Sequence, residues 1–483
     1  DTSSVTYMST MFGGCESLTS LDLSNFDTSN VVDMGEIEFY YPDYGGGAIF
    51  CYPGLFRGCK SLTSVNLSSF DTKNVTSMNC MFSGCESLAS IDLSHFDTQK
   101  VTAMEGMFAN CKALTQLDLS SFNTENVTSF NGMFYNCNQI ESLDLSNFDT
   151  HNATSFGNDG IDNYDNGMFC GCSNLKTLDI SNFDTSNAIR TAWMFYECKS
   201  LTELDLSHFD TSKVTDMHYM FGGCASLNRL DISNFDTSNT ENIHGMFAQC
   251  YQLSTIYCSH DWSVNDKITD SEDLFINCIE LVGGAGTAYT FDVKDKAYAR
   301  PDTPETPGYF TVKEPEMYAV YVGADSTLTF YYDNQKDSRE GAVYGNNYYS
   351  PWEGNHPELS GYYVKVPEWC AVHTKTTKAV FDASFVDARP TTTDFWFSEF
   401  NKLRQIVGME FLNTESVTSM RGMFAACDQL ESIDLSHFNT QKVTSMNSMF
   451  ASCCSLTSID VSSFNTESVM LSDVGFLKRS STS

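Results

Sequence analysis

Residues Cys85–Cys111 read C-E-S-L-A-S-I-D-L-S-H-F-D-T-Q-K-V-T-A-M-E-G-M-F-A-N-C, and the next 26 residues repeat the phrase with small changes. Within it Ser90-Ile91-Asp92-Leu93-Ser94 alternates polar with apolar, the mark of a strand with one buried and one wet face. Asp97-Thr98-Gln99-Lys100 follows, a segment whose short polar side chains can bond their own backbone in a turn. Val101, Met104, Met107 and Phe108 then point inward again, and Cys111 closes one coil and opens the next. A single coil has no second layer against which to bury these residues. Stacked coils do bury them, so each apolar position becomes a continuous column.

The columns can be followed by eye. Cys15, Cys59, Cys85, Cys111, Cys137, Cys172, Cys198, Cys224, Cys250 and Cys278 mark successive coils, and Cys427 and Cys453 mark two more near the end. A Met-Phe pair precedes nearly every one, as in Met81-Phe82, Met107-Phe108 and Met220-Phe221. Leu88, Ile91, Leu93 and Phe96 have the spacing L-x-x-L-x-L-x-x-F of leucine-rich repeats. The expected fold is therefore a leucine-rich-repeat-like solenoid. It has a parallel β-strand in each coil and an irregular or short-helical remainder.

The phrase S-L-T-S-L-D-L-S-N-F-D-T-S-N-V followed by M-F-x-x-C resembles the repeats of BspA-type bacterial surface proteins, over most of residues 1–312 and 379–469. The resemblance implies an extracellular or cell-surface location and a role in adhesion, with a host or neighbouring-cell surface protein or glycan as partner. Neither the location nor the role follows from the spacing.

With 27 Lys and Arg against 62 Asp and Glu, the chain carries a net charge of −35. Such a surface repels nucleic acid and anionic lipid, so neither nucleic-acid binding nor membrane insertion is expected. Twelve of the 18 cysteines fall in one column, where a thiol behaves as a small buried hydrophobe. Cys51, Cys80, Cys170, Cys258, Cys370 and Cys454 fall outside it.

Residues 1–312 are expected to form a first solenoid with a C-terminal cap. Residues 313–378 read as a small β-rich connecting module, 379–469 as a second array with an N-terminal cap, and 470–483 as an irregular tail. Two insertions, Gly35–Tyr52 and Gly157–Asp165, interrupt coils at the same place, just before the Met-Phe position. Both should leave along one edge, and such insertions are often where repeat proteins bind. Tyr40, Tyr41, Tyr44 and Tyr52 in the first, and Asp159, Asp162 and Tyr164 in the second, are the candidate binding residues. The aromatics of the β module are read mainly as packing. Both chain ends stop in mid-pattern, so end-to-end self-association into a filament is the structural alternative, beside the reading of the chain as a piece of a longer array.

One acidic column runs through Asp118, Asp144, Asp179 and Asp205 on the wet strand face, and these residues join the candidate site. Carboxylates stacked at strand spacing, about 4.8 Å, repel one another. Hydrogen bonds from neighbouring serines are the expected relief, ahead of Ca2+ on the column. A second column, which includes Asp97, reads as turn caps. His218 and His244 share a column and read as surface rather than as a metal pair. Threonine columns containing Thr98 and Thr102 lack the flat T-x-T spacing of ice-binding arrays. Sequons stand at Asn66, Asn74, Asn126 and Asn152. No nucleophile elbow, phosphate loop or Cys/His pair breaks the repetition, so the chain is not expected to be an enzyme and no cofactor is expected.

Overall fold

A computed structural model describes residues 1–35, 38–40, 49–51, 54–157, 167–336, 339–349 and 366–469. Residues 470–483, the expected tail, lie outside it. The chain divides into two compact units, Asp1–Lys313 and Glu314–Ser483.

The first unit is a repeat solenoid. Short strands pair in parallel with like residues in register. Leu21 stands against Val65 and Leu143 against Leu178, and the strands Arg229–Asp231 and Thr255–Tyr257 pair in the same way. In the coils of Ile91, Leu117 and Leu204 the same segment lies outside any paired ladder, so the strand recurs in some coils rather than in each. A second seam of parallel bridges runs through Ser129, Ser155, Arg190, Asp216, Asn242 and Asp270. The rest of the regular coil is a succession of turns rather than short helix. Backbone bonds run from coil to coil: Phe82 N–H to Met107 C=O at 2.9 Å, Gly84 N–H to Ala109 C=O at 2.7 Å, Thr102 N–H to Thr76 C=O at 2.9 Å.

Side chains tie the coils together in columns. The phenylalanines of the Met-Phe position, from Phe12 through Phe134 to Phe275, stack with centroids 5.5–5.9 Å apart and planes within 11°. From Cys59 to Cys278 each column cysteine donates its thiol to the carbonyl of the phenylalanine one coil back, as Cys111 does to Phe82 at 3.2 Å and Cys224 to Phe195 at 3.1 Å. Burial pushes the thiols of Cys111, Cys137 and Cys224 well above the usual range. The column cysteines form no disulfide.

The stack ends on a cap. Phe310–Thr311 pairs in parallel with Thr255–Tyr257, and Tyr309 and Trp262 are buried beneath it. Asp302 fastens the cap by accepting from the N–H groups of Ala285, Thr287 and Gly308 and from the Thr287 hydroxyl, at 2.6–3.1 Å. Burial raises its carboxyl, and these bonds outweigh burial and leave it lowered.

In the second unit, strands Glu316–Val322 and Thr327–Asp333 form a hairpin, and Ala342–Gly345 adds to its outer side. Thr327–Asp333 then pairs in parallel with Lys378–Phe381, which pairs in parallel with Gln405–Val407. One five-stranded sheet thus runs from the hairpin into the first coil of the second array. The boundary expected at 378/379 falls inside a strand that is paired on both sides. The core is shared as well: Ala319, Leu328 and Phe330 belong to the same buried cluster as Phe385, Trp396, Phe424 and Val443. Phe330 stacks 4.7 Å from Phe381 and lies 6.0 Å from Trp396, and Trp369 meets both Phe330 and Trp396 edge-on. The described part of residues 314–378 is therefore the cap of the second solenoid.

Candidate functional site

The two insertions root in the same way. Leu55 N–H bonds to Met34 C=O at 3.1 Å, and Met168 N–H bonds to Phe156 C=O at 2.9 Å, so each coil closes beneath its insertion. Each root has a glycine on either side, pressed against the following coil. A Cβ would lie 2.1 Å from the Asn79 carbonyl oxygen at Gly35 and 2.0 Å from that of Cys80 at Gly54. At Gly157 it would lie 2.0 Å from the Ala192 oxygen, and at Gly167 1.8 Å from the Trp193 oxygen. Asn79 and Ala192 are equivalent positions, as are Cys80 and Trp193, so both insertions leave from one edge.

Of the candidate residues in the insertions, Tyr41, Tyr44, Tyr52, Asp159, Asp162 and Tyr164 lie outside the described residues. Tyr40 ends strand Glu38–Tyr40, which pairs antiparallel with Ile49–Cys51, Tyr40 opposite Ile49. Asp118, Asp144, Asp179 and Asp205 are exposed on the wet strand face. Each accepts the backbone N–H two residues on, from Ser120, Ser146, Ser181 and Ser207, at 2.9–3.0 Å. These bonds favour the charged form. The Ser120 hydroxyl and N–H hold Asp118 below the usual carboxylate range, against a smaller opposing push from Asp92. The Ser146 N–H and hydroxyl do the same for Asp144. Hydrogen bonds thus offset the repulsion along the column. Among the described residues no group of three or more His, Cys, Asp or Glu is arranged to hold a metal ion.

A cluster that sequence reading missed lies on the edge from which the insertions leave. Trp193, Tyr196, His218, Tyr219 and His244 come from three successive coils. The Trp193 ring stacks 4.6 Å from Tyr219 and meets Tyr196 edge-on at 4.4 Å. The indole N–H of Trp193 donates to His218 Nε2 at 2.6 Å, and His218 Nδ1 lies 2.6 Å from Asp216. The Tyr219 hydroxyl lies 3.1 Å from His244 Nε2, and His244 Nδ1 lies 3.3 Å from Asp270. Both nitrogens of each imidazole therefore face protein partners.

The backbone beneath these rings is unusual. Trp193 and Tyr219 have φ of 62° and 51°, a left-handed conformation that costs a bulky residue roughly 1–2 kcal/mol. Other coils place Gly106, Gly132 and Gly245 there. A Cβ on Gly245 would lie 2.4 Å from the Tyr219 ring as that ring now sits, so glycine leaves room for it. Glycine recurring before the Met-Phe pair, and glycine and asparagine before the cysteine, were the available signal for the left-handed positions that recur in the coils.

No helix among the described residues is long and apolar enough to cross a membrane. A crystal structure of a leucine-rich-repeat protein from T. pallidum is similar at 20% identity over 41% of this chain and 72% of that one, with a TM-score of 0.24. A crystal structure of a TLR13–ssRNA13 complex is similar at 11% identity over 86% of this chain and 55% of that one, with a TM-score of 0.19. No curated protein matches the chain. A family model described as "Mycoplasma protein of unknown function, DUF285" matches residues 1–41, 52–159, 165–283 and 391–481. Regular coils make up most of those ranges, and the chain belongs to the DUF285 family.

Proposed function

We propose that the chain is a non-enzymatic binding scaffold of the cell surface, mediating adhesion by engaging a protein or glycan along the edge from which residues 36–53 and 158–166 emerge. The observation that carries this reading is the common root. Two insertions of unrelated sequence leave through paired glycines at equivalent positions of their coils. Unselected loop growth has no reason to choose the same opening twice. The surface location enters through the resemblance of the repeats to BspA-type proteins. The strand face is the less favoured part of the expected site, because its carboxylates are already engaged by turn N–H groups.

The stem bonds make the test clean, since Gly35 can be joined to Gly54 and Gly157 to Gly167 with each coil still closed. The intact chain and the double deletion are compared on a printed glycan array and on a panel of purified surface proteins. Binding by the intact chain that is lost in a folded double deletion is expected. Equal binding by both, or binding by neither, rejects the proposed edge.

A further inference from the structure

Two histidines one coil apart make contacts that look alike and respond oppositely to a proton. An indole N–H can only donate, so the 2.6 Å contact from Trp193 Nε1 requires a bare lone pair on His218 Nε2. His218 is then the neutral tautomer, and its Nδ1–H points at Asp216. A proton added at Nε2 sets two N–H groups head to head at that distance, and the Trp193 contact is lost while the Asp216 contact becomes an ion pair. A hydroxyl both donates and accepts, so Tyr219 can turn to accept from a protonated His244, which keeps Asp270 on its other side.

We propose that Asp216–His218–Trp193 is a pH-responsive latch on the insertion edge of the first solenoid, and that protonation of His218 releases the indole of Trp193. Trp193 is suited to this because its backbone is held in a left-handed conformation that a tryptophan does not favour. The coil imposes that conformation, as it does at Gly106 and Gly245, and the indole itself is held by His218 and Tyr219. The charged and titratable groups around His218 are Asp216 on its own coil, Arg190 in register with Asp216 from the coil before, and Tyr219 with His244 and Asp270 on the side of the coils that follow. The latch is a competition between the Asp216 ion pair and the Trp193 indole hydrogen bond. The carbonyl of Trp193 also packs against Gly167, where the 158–166 insertion re-enters the coil.

The test uses the full chain with its five tryptophans labelled with 15N at the indole. The Trp193 signal is identified by its loss in Trp193→Phe. On acidification from pH 8 to pH 5, the Trp193 indole signal is expected to move in one titration step while the other indole signals stay in place. His218→Gln, whose amide oxygen accepts without titrating, should abolish the step, and His244→Gln should retain it. A Trp193 signal that does not move, one that moves equally in His218→Gln, or indole signals that all move together as in general acid unfolding would each overturn the proposal. The wild-type titration decides alone if a variant fails to fold.

Discussion

Thr98 serves two coils at once. Its hydroxyl donates to the Asn123 carbonyl at 2.8 Å and accepts the Asn123 N–H at 2.7 Å. Thr72, Thr150, Thr185 and Thr211 repeat this clasp, all with almost no exposure. Thr98→Val keeps the shape and leaves both backbone groups of Asn123 unpaired. It should cost about 1–3 kcal/mol, read as a lower denaturation midpoint, with Thr98→Ser costing less. The acidic column sets a pH dependence. Ser94, Ser120 and Ser436 hold Asp92, Asp118 and Asp434 below the usual carboxylate range, so the unfolded chain binds protons first as pH falls. Stability from these groups is complete above the ordinary carboxylate range and is lost as pH falls through their lowered values. Asp118→Asn should keep the turn, as Asn66 does by accepting Ser68 N–H at 3.1 Å, and should reduce the acid sensitivity measured by circular dichroism. Alkylation of the native chain should reach the exposed Cys15 and Cys454 before the buried thiols of Cys111–Cys250, as peptide mass spectrometry would show. The leucine and cysteine columns were legible as apolar positions because they repeat. The thiol and hydroxyl bonds were not, because each joins residues about one repeat apart whose contact only stacking creates.

The aromatic ladder and the insertion roots matter at the level of the coil. Phe134 is stacked on Phe108 on one side and on Phe169 on the other. Phe134→Ala should open a cavity between coils and cost about 3–5 kcal/mol, more than the same change at Phe12, which has a single stacking partner among the described residues. Thermal melts of the two variants would rank them. Gly167→Ala places a methyl group against the Trp193 carbonyl and should destabilise the chain by roughly 1–3 kcal/mol, whereas Gly14→Ala meets no neighbour within 4 Å and is strained only through its φ of 73°. The shared root of the insertions could be read from sequence as a common place in the repeat. The aromatic cluster could not, because it joins Trp193 and Tyr196 of one coil to His218 and Tyr219 of the next, a contact between different columns that only stacking creates.

The two units differ in what closes them. The first ends on Phe310–Thr311 and the Asp302 network. The second opens on the hairpin sheet, which covers Phe381, Phe385 and Trp396. A chain beginning at Glu314 should therefore fold, as judged by a cooperative melt. One beginning at Ala379 loses Phe330 and Trp369 from that core and should aggregate or melt without cooperativity. Comparable melts of both would return the β module to the status of a separate connector.

Periodicity alone settles the solenoid, its repeat length, its inward columns and the common edge of its insertions, because a stack of equivalent coils writes each spatial neighbour into the chain at a constant separation. What only the folded chain decides lies where that separation fails. Thr327–Asp333 joins Lys378–Phe381 in parallel across a stretch of sequence that lies outside the repeats, and no local pattern could reveal that the module caps the array. The choice of tautomer at His218 likewise depends on an indole from another coil, a donor whose placement the stacking sets.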